Sequence, residues 1–354
     1  MNPVKKIRRA VNKTISDLDP LYTALQYSRK KLKKYQKSVG VKPLSEENKR
    51  KIKEMWGKYS GWFEFYNTVG DSEKAYYYFP DTWFYKYVDS KLNNWPICDA
   101  IDDKCLYDYF FYDICRPKTI VKICNGMYLD AQSRIITLTD AVAACRAAGR
   151  VIVKPSCDSS AGNGILFWKE GSNIDIESVL RDSKNEVVQQ VIEQHPALAQ
   201  IHSGSINTIR IVTMTTEQGV KEVSSLLRIG VGKSQVDNFA QGGIAVGIDK
   251  EGKLKGKAYT ARGKCFDRHP DGPELLGVSV PGFHECLDIC KATAPRFARY
   301  SRLTSWDFAI DPDCKPIFIE ANLCHGGIDL HQMCNGPIFG DEETTRRMIK
   351  KYIK

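Results

Sequence analysis

The sequence lacks any long apolar run, and its first residues contain no apolar segment. No stretch of the 354 residues approaches the roughly 18 consecutive apolar residues that a membrane-spanning helix requires. The opening residues, MNPVKKIRRAVNK, are basic rather than apolar, so we expect no secretory signal. These absences argue against a secreted or integral membrane protein, and we expect a cytoplasmic location.

Closely spaced cysteine pairs are also missing, although the chain contains 12 cysteines. The nearest two, Cys286 and Cys290, are separated by three residues, and no C-x-x-C sequence occurs. Free thiols in a reducing compartment are therefore expected, in place of disulfides. A zinc site is not expected, because zinc ligands usually include such close pairs.

Positive charge is concentrated in the first 60 residues, which contain 17 Lys and Arg against 5 Asp and Glu. Their net charge of +12 exceeds the +10 of the whole chain. Two interpretations remain open for residues 1–60. They form helices that pack on the main domain with solvated lysine faces, or they hold the protein peripherally at the anionic inner face of the membrane. No nucleic-acid partner is expected, because no recognised binding motif accompanies the charge.

The local pattern of residue types changes near residue 117. Residues 1–92 are predicted to be a basic, helical N-terminal region, and aromatic residues are frequent between 60 and 115. From there on, short β-branched runs such as TIVKI, RVIVKP and TIRIVTM alternate with turns and a few helical patterns. Hairpins outnumber regular βαβ units, which predicts an α+β fold.

Residues 151–168, VIVKPSCDSSAGNGILFW, predict a hairpin whose loop consists almost entirely of small residues. Neither the Walker A pattern nor G-x-G-x-x-G is present, so this is not a P-loop or a Rossmann turn. A loop of small side chains can expose consecutive backbone N–H groups to phosphate oxygens, and Lys154 at its mouth would add a positive charge. A plain surface hairpin with a flexible tip would look similar, so both interpretations stay open here.

A second predicted hairpin, within residues 305–327, carries oxygen-bearing side chains. Glu320 and Asn322 are two residues apart on a strand and therefore share one face. If Ile310 pairs with Ile317, Asp307 lies opposite Glu320. Carboxylate and amide oxygens without histidine or cysteine are typical ligands of Mg²⁺. The alternative is an edge hairpin with solvated acids.

Taken together, these motifs resemble the ATP-grasp superfamily, as in D-alanine–D-alanine ligases and glutathione synthetase-like enzymes. The more detailed resemblance is to the sugar-transfer-associated ATP-grasp family and covers roughly residues 95–335. It is carried by SINTIRIVTM (205–214), LLRIGVGKSQVDNFAQGGI (226–244), HP…VPGFHE (269–285) and WDFAI…IEANLCHGGIDLHQ (306–332). The resemblance implies an ATP-grasp fold, in which two α+β lobes clasp ATP. We expect a small lobe at 93–190 with the glycine-rich loop and a large lobe at 191–354 with the magnesium-binding carboxylates.

The resemblance also implies roles for individual residues. It assigns catalysis to Arg210, Arg228 and Lys154, and magnesium binding to Asp307, Glu320 and Asn322. The alternative for Arg210 and Arg228 is a structural ion pair with the carboxylate cluster. Contact with ATP is implied for Lys104, Lys154, Ser156, Ser159, Ser160, Gly162, Gly164, Gln190, Val191, Ile192, Glu193 and Asn238. Within that set, residues 190–192 would bind adenine through the backbone, and Glu193 would bind the ribose. Weaker suggestions are family-like positions without a stated role, Asn207, Asp237, Gly242 and Gly243, and an acceptor pocket shaped by His269, His284, His325 and Gln332.

The implied activity is ATP-dependent ligation of a carboxylate to an amine through an acyl phosphate, with ATP and Mg²⁺ as cofactors. The partners would be carboxylate and amine small molecules or sugar-linked substrates. The family context suggests a cell-surface sugar or polysaccharide precursor. Two alternatives remain: a kinase that phosphorylates a hydroxyl through the same ATP site, and a non-catalytic nucleotide-binding scaffold.

Overall fold

The computed structural model describes residues 19–157, 164–234, 236–237 and 242–353. Two entirely antiparallel sheets form the framework, with helices around them, so the predicted α+β class is confirmed. Among the described residues, no helix is long and apolar enough to cross a bilayer.

The first sheet has six strands in the order β3-β2-β1-β6-β4-β5. The helix Leu138–Ala148 packs on it, and a core that includes Val121, Val151 and Leu180 lies between them. This helix begins where Thr137 and Asp140 cap each other's backbone N–H groups. The strands are Thr119–Cys124 (β1), Met127–Leu129 (β2), Ile135–Ile136 (β3), Arg150–Pro155 (β4), Leu166–Lys169 (β5) and Asn185–Gln190 (β6).

The second sheet has seven strands in the order β11-β10-β9-β8-β7-β12-β13. Its main core packs against the helix Phe283–Thr293 and includes the buried side chains of Trp306, Phe308 and Phe318. The strands are Thr208–Thr216 (β7), Gly219–Ile229 (β8), Ile244–Ile248 (β9), Leu254–Thr260 (β10), Cys265–Phe266 (β11), Leu303–Ile310 (β12) and Pro316–Asn322 (β13).

Most of the α-helices precede the first sheet or follow the second. Those before the first sheet are Pro20–Val39, Glu46–Trp56, Gly61–Val69, Asp81–Phe84, Ser90–Leu92, Trp95–Ile101 and Tyr107–Phe110. Within and after the sheets lie Leu138–Ala148, Ile176–Asp182, Pro196–Ala199, Phe283–Thr293, Asp329–Asn335 and Glu342–Tyr352. Short 3₁₀ segments cover Ser72–Tyr77, Lys104–Leu106 and Ala294–Phe297, and a π-helical turn covers Tyr85–Asp89.

The described part of the N-terminal region is built into the protein's core. Its aromatic side chains, including the fully buried Trp62 and Phe63, join the C-terminal helices in two hydrophobic clusters. The side-chain amide of Gln332 accepts from the backbone N–H of Phe79 and donates to its carbonyl, each at 2.8 Å. A helical N-terminal region is therefore confirmed. The outward faces of its helices carry the exposed basic residues Arg29, Lys30, Lys33, Lys34 and Lys37.

The architecture leaves two predictions untested, namely the membrane contact of the N-terminal region and the limits of the lobes. Residues 1–18 lie outside the described residues, and the hypothesis of membrane contact through residues 1–60 stays a prediction. The domain limits 1–92, 93–190 and 191–354 also stay predictions.

One lysine of the N-terminal helices is buried. Lys31 Nζ lies 3.3 Å from Asp81 and 3.0 Å from Asp329, and the Tyr35 hydroxyl donates to Asp329 at 2.7 Å. The group joins the first described helix to the helix Asp329–Asn335. Because both carboxylates are buried, each depends on this single ammonium group for compensation.

We expect Lys31→Met to lower the free energy of unfolding by about 3–5 kcal/mol, because two buried carboxylates would lose their cation. The measurement is equilibrium unfolding in urea. Lys30→Met is the matched control, since Lys30 is the exposed neighbour on the same helix, and its effect should stay within about 0.5 kcal/mol. Equal effects of the two substitutions would contradict a structural role for the buried lysine.

Candidate active site

The predicted lysine hairpin forms as expected. Strands β4 and β5 pair antiparallel, with Val151 opposite Trp168 and Val153 opposite Leu166. Lys154 is buried at the end of β4, and the loop returns through Gly164 at a positive φ of 79°. The backbone N–H of Lys104 donates to the carbonyl of Ser156 at 2.8 Å, so the segment of the first predicted phosphate lysine touches the start of the loop. Ser159, Ser160 and Gly162 lie outside the described residues.

The carboxylate hairpin also forms, and a β-bulge corrects the predicted register. Asp307 lies opposite Glu320 as expected, and Asn322 lies opposite Ser305. The assumed pairing of Ile310 with Ile317 is wrong, because the register shifts by one residue between Asp307 and Phe308, so Ile310 pairs with Pro316. Such a bulge adds one residue to one strand and leaves the pairing on the far side intact.

Asp307 is clamped by two arginines from neighbouring strands. It lies directly opposite Arg210 of β7, whose guanidinium donates to both carboxylate oxygens at 2.7 and 2.6 Å. Arg228 of β8 donates to Oδ2 at 3.0 Å. A planar guanidinium matches a carboxylate in this bidentate manner. Two predicted catalytic residues and one predicted metal ligand are thus brought together.

Glu320 links this clamp to the two lysines. Its carboxylate lies 3.3 Å from Lys104 Nζ and 3.9 Å from Arg210. Burial alone would raise the pKa of Glu320, but the charges of Lys104, Arg210, Lys154 and Arg228 outweigh burial and lower its pKa to about 2. The carboxylate therefore stays ionised throughout the physiological range.

Lys154 is the cation with the least compensation in this cluster. It is 8% exposed, and it forms no ion pair within 4.0 Å with any residue that the structure describes. Burial, followed by the positive charge of Lys104, lowers the pKa of Lys154 to about 8, although Glu320 opposes this. An anion placed beside it would relieve the cost of holding this charge away from water.

Two further acids support the cluster: Asp237, which the sequence suggested without a role, and Asp102, which the sequence reasoning missed. Asp237 accepts from the Thr208 hydroxyl and from Arg228, the latter at 3.3 Å, and burial raises the pKa of Asp237. Asp102, which accepts from the Tyr107 hydroxyl at 2.6 Å, is one of the acids that help raise the pKa of Lys104 against the opposing effect of burial. Thr208 could have been found, because it shares a strand face with Arg210.

A small pocket lies at the predicted adenine hinge. Its volume is about 200 Å³, and its lining includes all four hinge residues, Gln190, Val191, Ile192 and Glu193, together with Ile317. Two of the backbone N–H groups are already used: Gln190 donates to Lys118 and Val191 to Arg150. A larger cavity of about 560 Å³ is lined by segments around residues 90–96 and 299–302, and none of the predicted site residues lines it.

A family model described as sugar-transfer associated ATP-grasp matches residues 85–344. The chain belongs to this family. No curated protein matches the sequence.

Several solved structures are similar to this ATP-grasp chain. D-cycloserine synthetase DcsG has 11% identity and a TM-score of 0.40, covering 73% of this chain and 71% of that one. D-alanyl-alanine synthetase A from Vibrio cholerae O1 biovar eltor str. N16961 has 11% identity and a TM-score of 0.42, covering 72% and 66%. For the L-amino acid ligase from Bacillus licheniformis the identity is 12% and the TM-score 0.36. The alignment covers 69% of this ATP-grasp chain but only 44% of that ligase.

The donor set of this ATP-grasp site is suited to magnesium. Asp307 accepts three hydrogen bonds from the arginines, which leaves about one of its four acceptor positions. Glu320 is a quarter exposed. The side-chain nitrogen of Asn322 is buried without a hydrogen-bond partner. Two carboxylates and an amide oxygen at one edge of the sheet are ligands that a hard divalent cation prefers.

The remaining residues that the sequence suggested lie apart from this cluster or outside the described part. Asn238 lies outside the described residues. His269 is fully buried, its Nε2 lies 2.9 Å from the Gly230 carbonyl, and burial lowers its pKa. His284 is exposed on the helix Phe283–Thr293. The buried amide of Gln332 holds the N-terminal region, as described above.

Lowering the pH should destabilise the wild-type protein more than a variant that lacks the Glu320 carboxylate. Since its folded-state pKa of about 2 lies below the unfolded value of 4.5, its contribution to stability is present above pH 4.5 and is lost as the pH falls toward 2. Between pH 5 and pH 3 we expect the wild type to lose about 2 kcal/mol more stability than Glu320→Gln. Urea unfolding at several pH values measures this.

Glu285→Gln is the control for this comparison, because Glu285 is an exposed carboxylate on the helix Phe283–Thr293, which packs on the same sheet. Its pH profile should follow the wild type. If Glu320→Gln also follows the wild type, the cations around Glu320 do not stabilise its charge.

Proposed function

We propose that the protein is an ATP-dependent ligase that joins a carboxylate to an amine. A carboxylate oxygen of one substrate attacks the γ-phosphorus of ATP, and ADP leaves. The amine nitrogen of the second substrate then attacks the acyl carbon, loses a proton and displaces phosphate. Membership of the sugar-transfer associated family favours a cell-surface sugar or polysaccharide precursor as one substrate.

The observation that carries this proposal is a buried lysine at the loop that no carboxylate pairs with. Arg210, Arg228 and Lys104 form ion pairs with Asp307, Asp237 and Glu320, whereas Lys154 forms no ion pair with any described residue. Most of what phosphoryl transfer requires from a protein is positioning and neutralisation of phosphate charge. A phosphate group would supply the anion that Lys154 lacks.

Each cation has a distinct proposed part. Lys104 and Lys154 would hold the phosphates from the side of the small-residue loop, while Arg210 and Arg228 would face the transferred phosphoryl group. Bound by Asp307, Glu320 and Asn322, magnesium would neutralise phosphate charge. No protein nucleophile is needed, so the protein's task is to orient the substrates and to exclude water from the acyl phosphate.

The pocket at residues 190–193 supports the adenine assignment. It adjoins the end of β6 and includes Ile317 of the strand that carries Glu320. An apolar side chain beside free backbone groups is typical of purine recognition, in which a few polar groups fix the orientation. Because Gln190 and Val191 already use their N–H groups, we place the adenine contacts on Ile192 and Glu193.

The test is an isotope experiment. The protein is incubated with Mg-ATP and pairs of sugar acids with amino acids or amino alcohols, with the heavy oxygen isotope in the carboxylate. A ligase transfers one labelled oxygen to free phosphate. Its product has the combined mass of the two substrates less one water, and mass spectrometry detects both changes. Phosphate retained on a hydroxyl would identify a kinase, and no turnover with any pair would favour a scaffold.

Substitutions tie that activity to the charged cluster. Lys154→Met and Glu320→Gln should each lower turnover by at least about 100-fold, because each removes fixed charge at the transferring phosphate. Lys169→Met is the control, since Lys169 is an exposed lysine on the paired strand. Wild-type turnover in Lys154→Met would overturn the proposed site.

Nucleotide binding should take up protons near pH 8. Lys154 is about half deprotonated there in the free protein, and a phosphate beside it would restore the charged form. Calorimetric titration with Mg-ADP in two buffers of different ionisation enthalpy should report about half a proton taken up. Affinity should also fall as the pH rises above 8.

The same titration of Lys154→Met should show no such uptake, whereas Lys169→Met should behave like the wild type. Equal proton uptake in all three proteins would mean that another group changes its protonation on binding.

A further inference from the structure

A second cluster of potential metal ligands lies outside the proposed ATP site. The structure brings Asp99, Cys324 and His325 together, and one ligand atom of each lies within 4.8 Å of the others. The thiol of Cys324 is 3.2 Å from Asp99 Oδ1, and His325 Nε2 is 3.5 Å from the same oxygen. These three residues are not used in the proposed ligase reaction.

The fold fixes the positions of these side chains. Asp99 lies on the helix Trp95–Ile101, and the other two residues follow β13 after Leu323. The ring of His325 packs on Trp95 with centroids 4.2 Å apart, and its backbone N–H donates to Asp89 at 3.2 Å. The Ser301 hydroxyl donates to the preceding Leu323 carbonyl at 2.6 Å. The cluster therefore joins two segments that are distant in the sequence.

His325 also has an unusual backbone conformation. Its φ of 59° is in the left-handed region, which a residue other than glycine rarely adopts without compensation. In this conformation the imidazole lies on Trp95, with Nε2 directed at Asp99.

Two of the three ligand separations are close to those of a tetrahedral metal centre. With zinc bonds of about 2.0 Å to nitrogen and oxygen and 2.3 Å to sulfur, tetrahedral ligand atoms lie about 3.3–3.5 Å apart. The observed separations of 3.2 and 3.5 Å are close to these values. The sulfur of Cys324 and the ring nitrogen of His325 lie within 4.8 Å of each other, so one ion would contact all three atoms once these two side chains approach.

We propose that Asp99, Cys324 and His325 bind a thiophilic divalent cation of the zinc class. Thiolate, imidazole and carboxylate are ligands that zinc accepts together. The Cys324 proton leaves to solvent as the sulfur binds the metal, and water occupies the fourth position, on the side where Asp99 and His325 are exposed. The ion would hold the helix Trp95–Ile101 against the segment that follows Asn322.

The other group of potential ligands in the described chain is less suited to a metal. It comprises His202, His269 and Asp271. His269 Nδ1 already accepts from the backbone N–H of Asp271, and the Asp271 carboxylate accepts from Gly232 at 2.7 Å. The lone pairs of His269 and Asp271 that would bind a metal thus already accept backbone hydrogen bonds.

Cobalt substitution in the full-length protein tests this proposal. With excess Mg²⁺ present to occupy oxygen-only sites, one equivalent of Co²⁺ should give a sulfur-to-metal charge-transfer band and intense tetrahedral bands in the visible spectrum. Zn²⁺ should displace the cobalt and abolish both. Neither step requires nucleotide or turnover, so the result does not depend on the proposed ligase activity.

Three substitutions identify the ligands. Asp99→Asn is at an exposed position and should fold normally, and we expect it to weaken Co²⁺ binding by at least about 100-fold, the upper end of the loss caused by removing an outer-shell partner. Cys324→Ser should remove the charge-transfer band. His325→Asn keeps a residue that tolerates positive φ and should also weaken binding.

Cys265→Ser is the matched control, because Cys265 is an exposed thiol on β11, and this variant should bind cobalt like the wild type. Unchanged affinity in Asp99→Asn, or loss of the band in Cys265→Ser, would mean an adventitious ion only. A disulfide between Cys324 and the neighbouring Cys98 under reducing conditions would also overturn the proposal.

Discussion

The candidate site depends on one ion pair, the two-point contact between Arg210 and Asp307. The two residues lie directly opposite each other on β7 and β12, so the strand register itself sets the contact. Arg228 and Glu320 extend it on either side. Buried charges remain ionised only when they compensate one another, and this chain of alternating charges therefore fixes where any further anion can be accommodated.

Much of this arrangement could be predicted from the sequence, because it follows from local rules. Alternation along a strand places Glu320 and Asn322 on one face, and hairpin pairing places Asp307 opposite Glu320. Beyond these two rules, the prediction needed only the number of residues between the two strands. The bulge was not predictable, since the insertion of one residue depends on how Phe308 and Phe318 pack in the core.

Contacts between distant segments could not be predicted in this way. Lys31 belongs to a strongly basic stretch, and nothing in that stretch distinguishes it from its exposed neighbours until Asp81 and Asp329 are brought around it. Asp99 and Cys324 are separated by 225 positions. The expectation that no zinc site exists rested on the absence of close cysteine pairs. A site assembled from Asp99 and the distant pair Cys324-His325 does not leave that signature.

The two clusters place different demands on one short segment. Asn322 belongs to the oxygen-rich cluster, whereas Cys324 and His325 belong to the sulfur- and nitrogen-containing one, and only Leu323 separates them. Oxygen ligands favour magnesium and thiolate favours zinc. This short segment would therefore bind a hard cation at one end and a softer cation at the other. Because Leu323 is buried in the core, its packing constrains how far either cluster can move without the other. Metal-dependent order at His325 would therefore affect how firmly Asn322 is held.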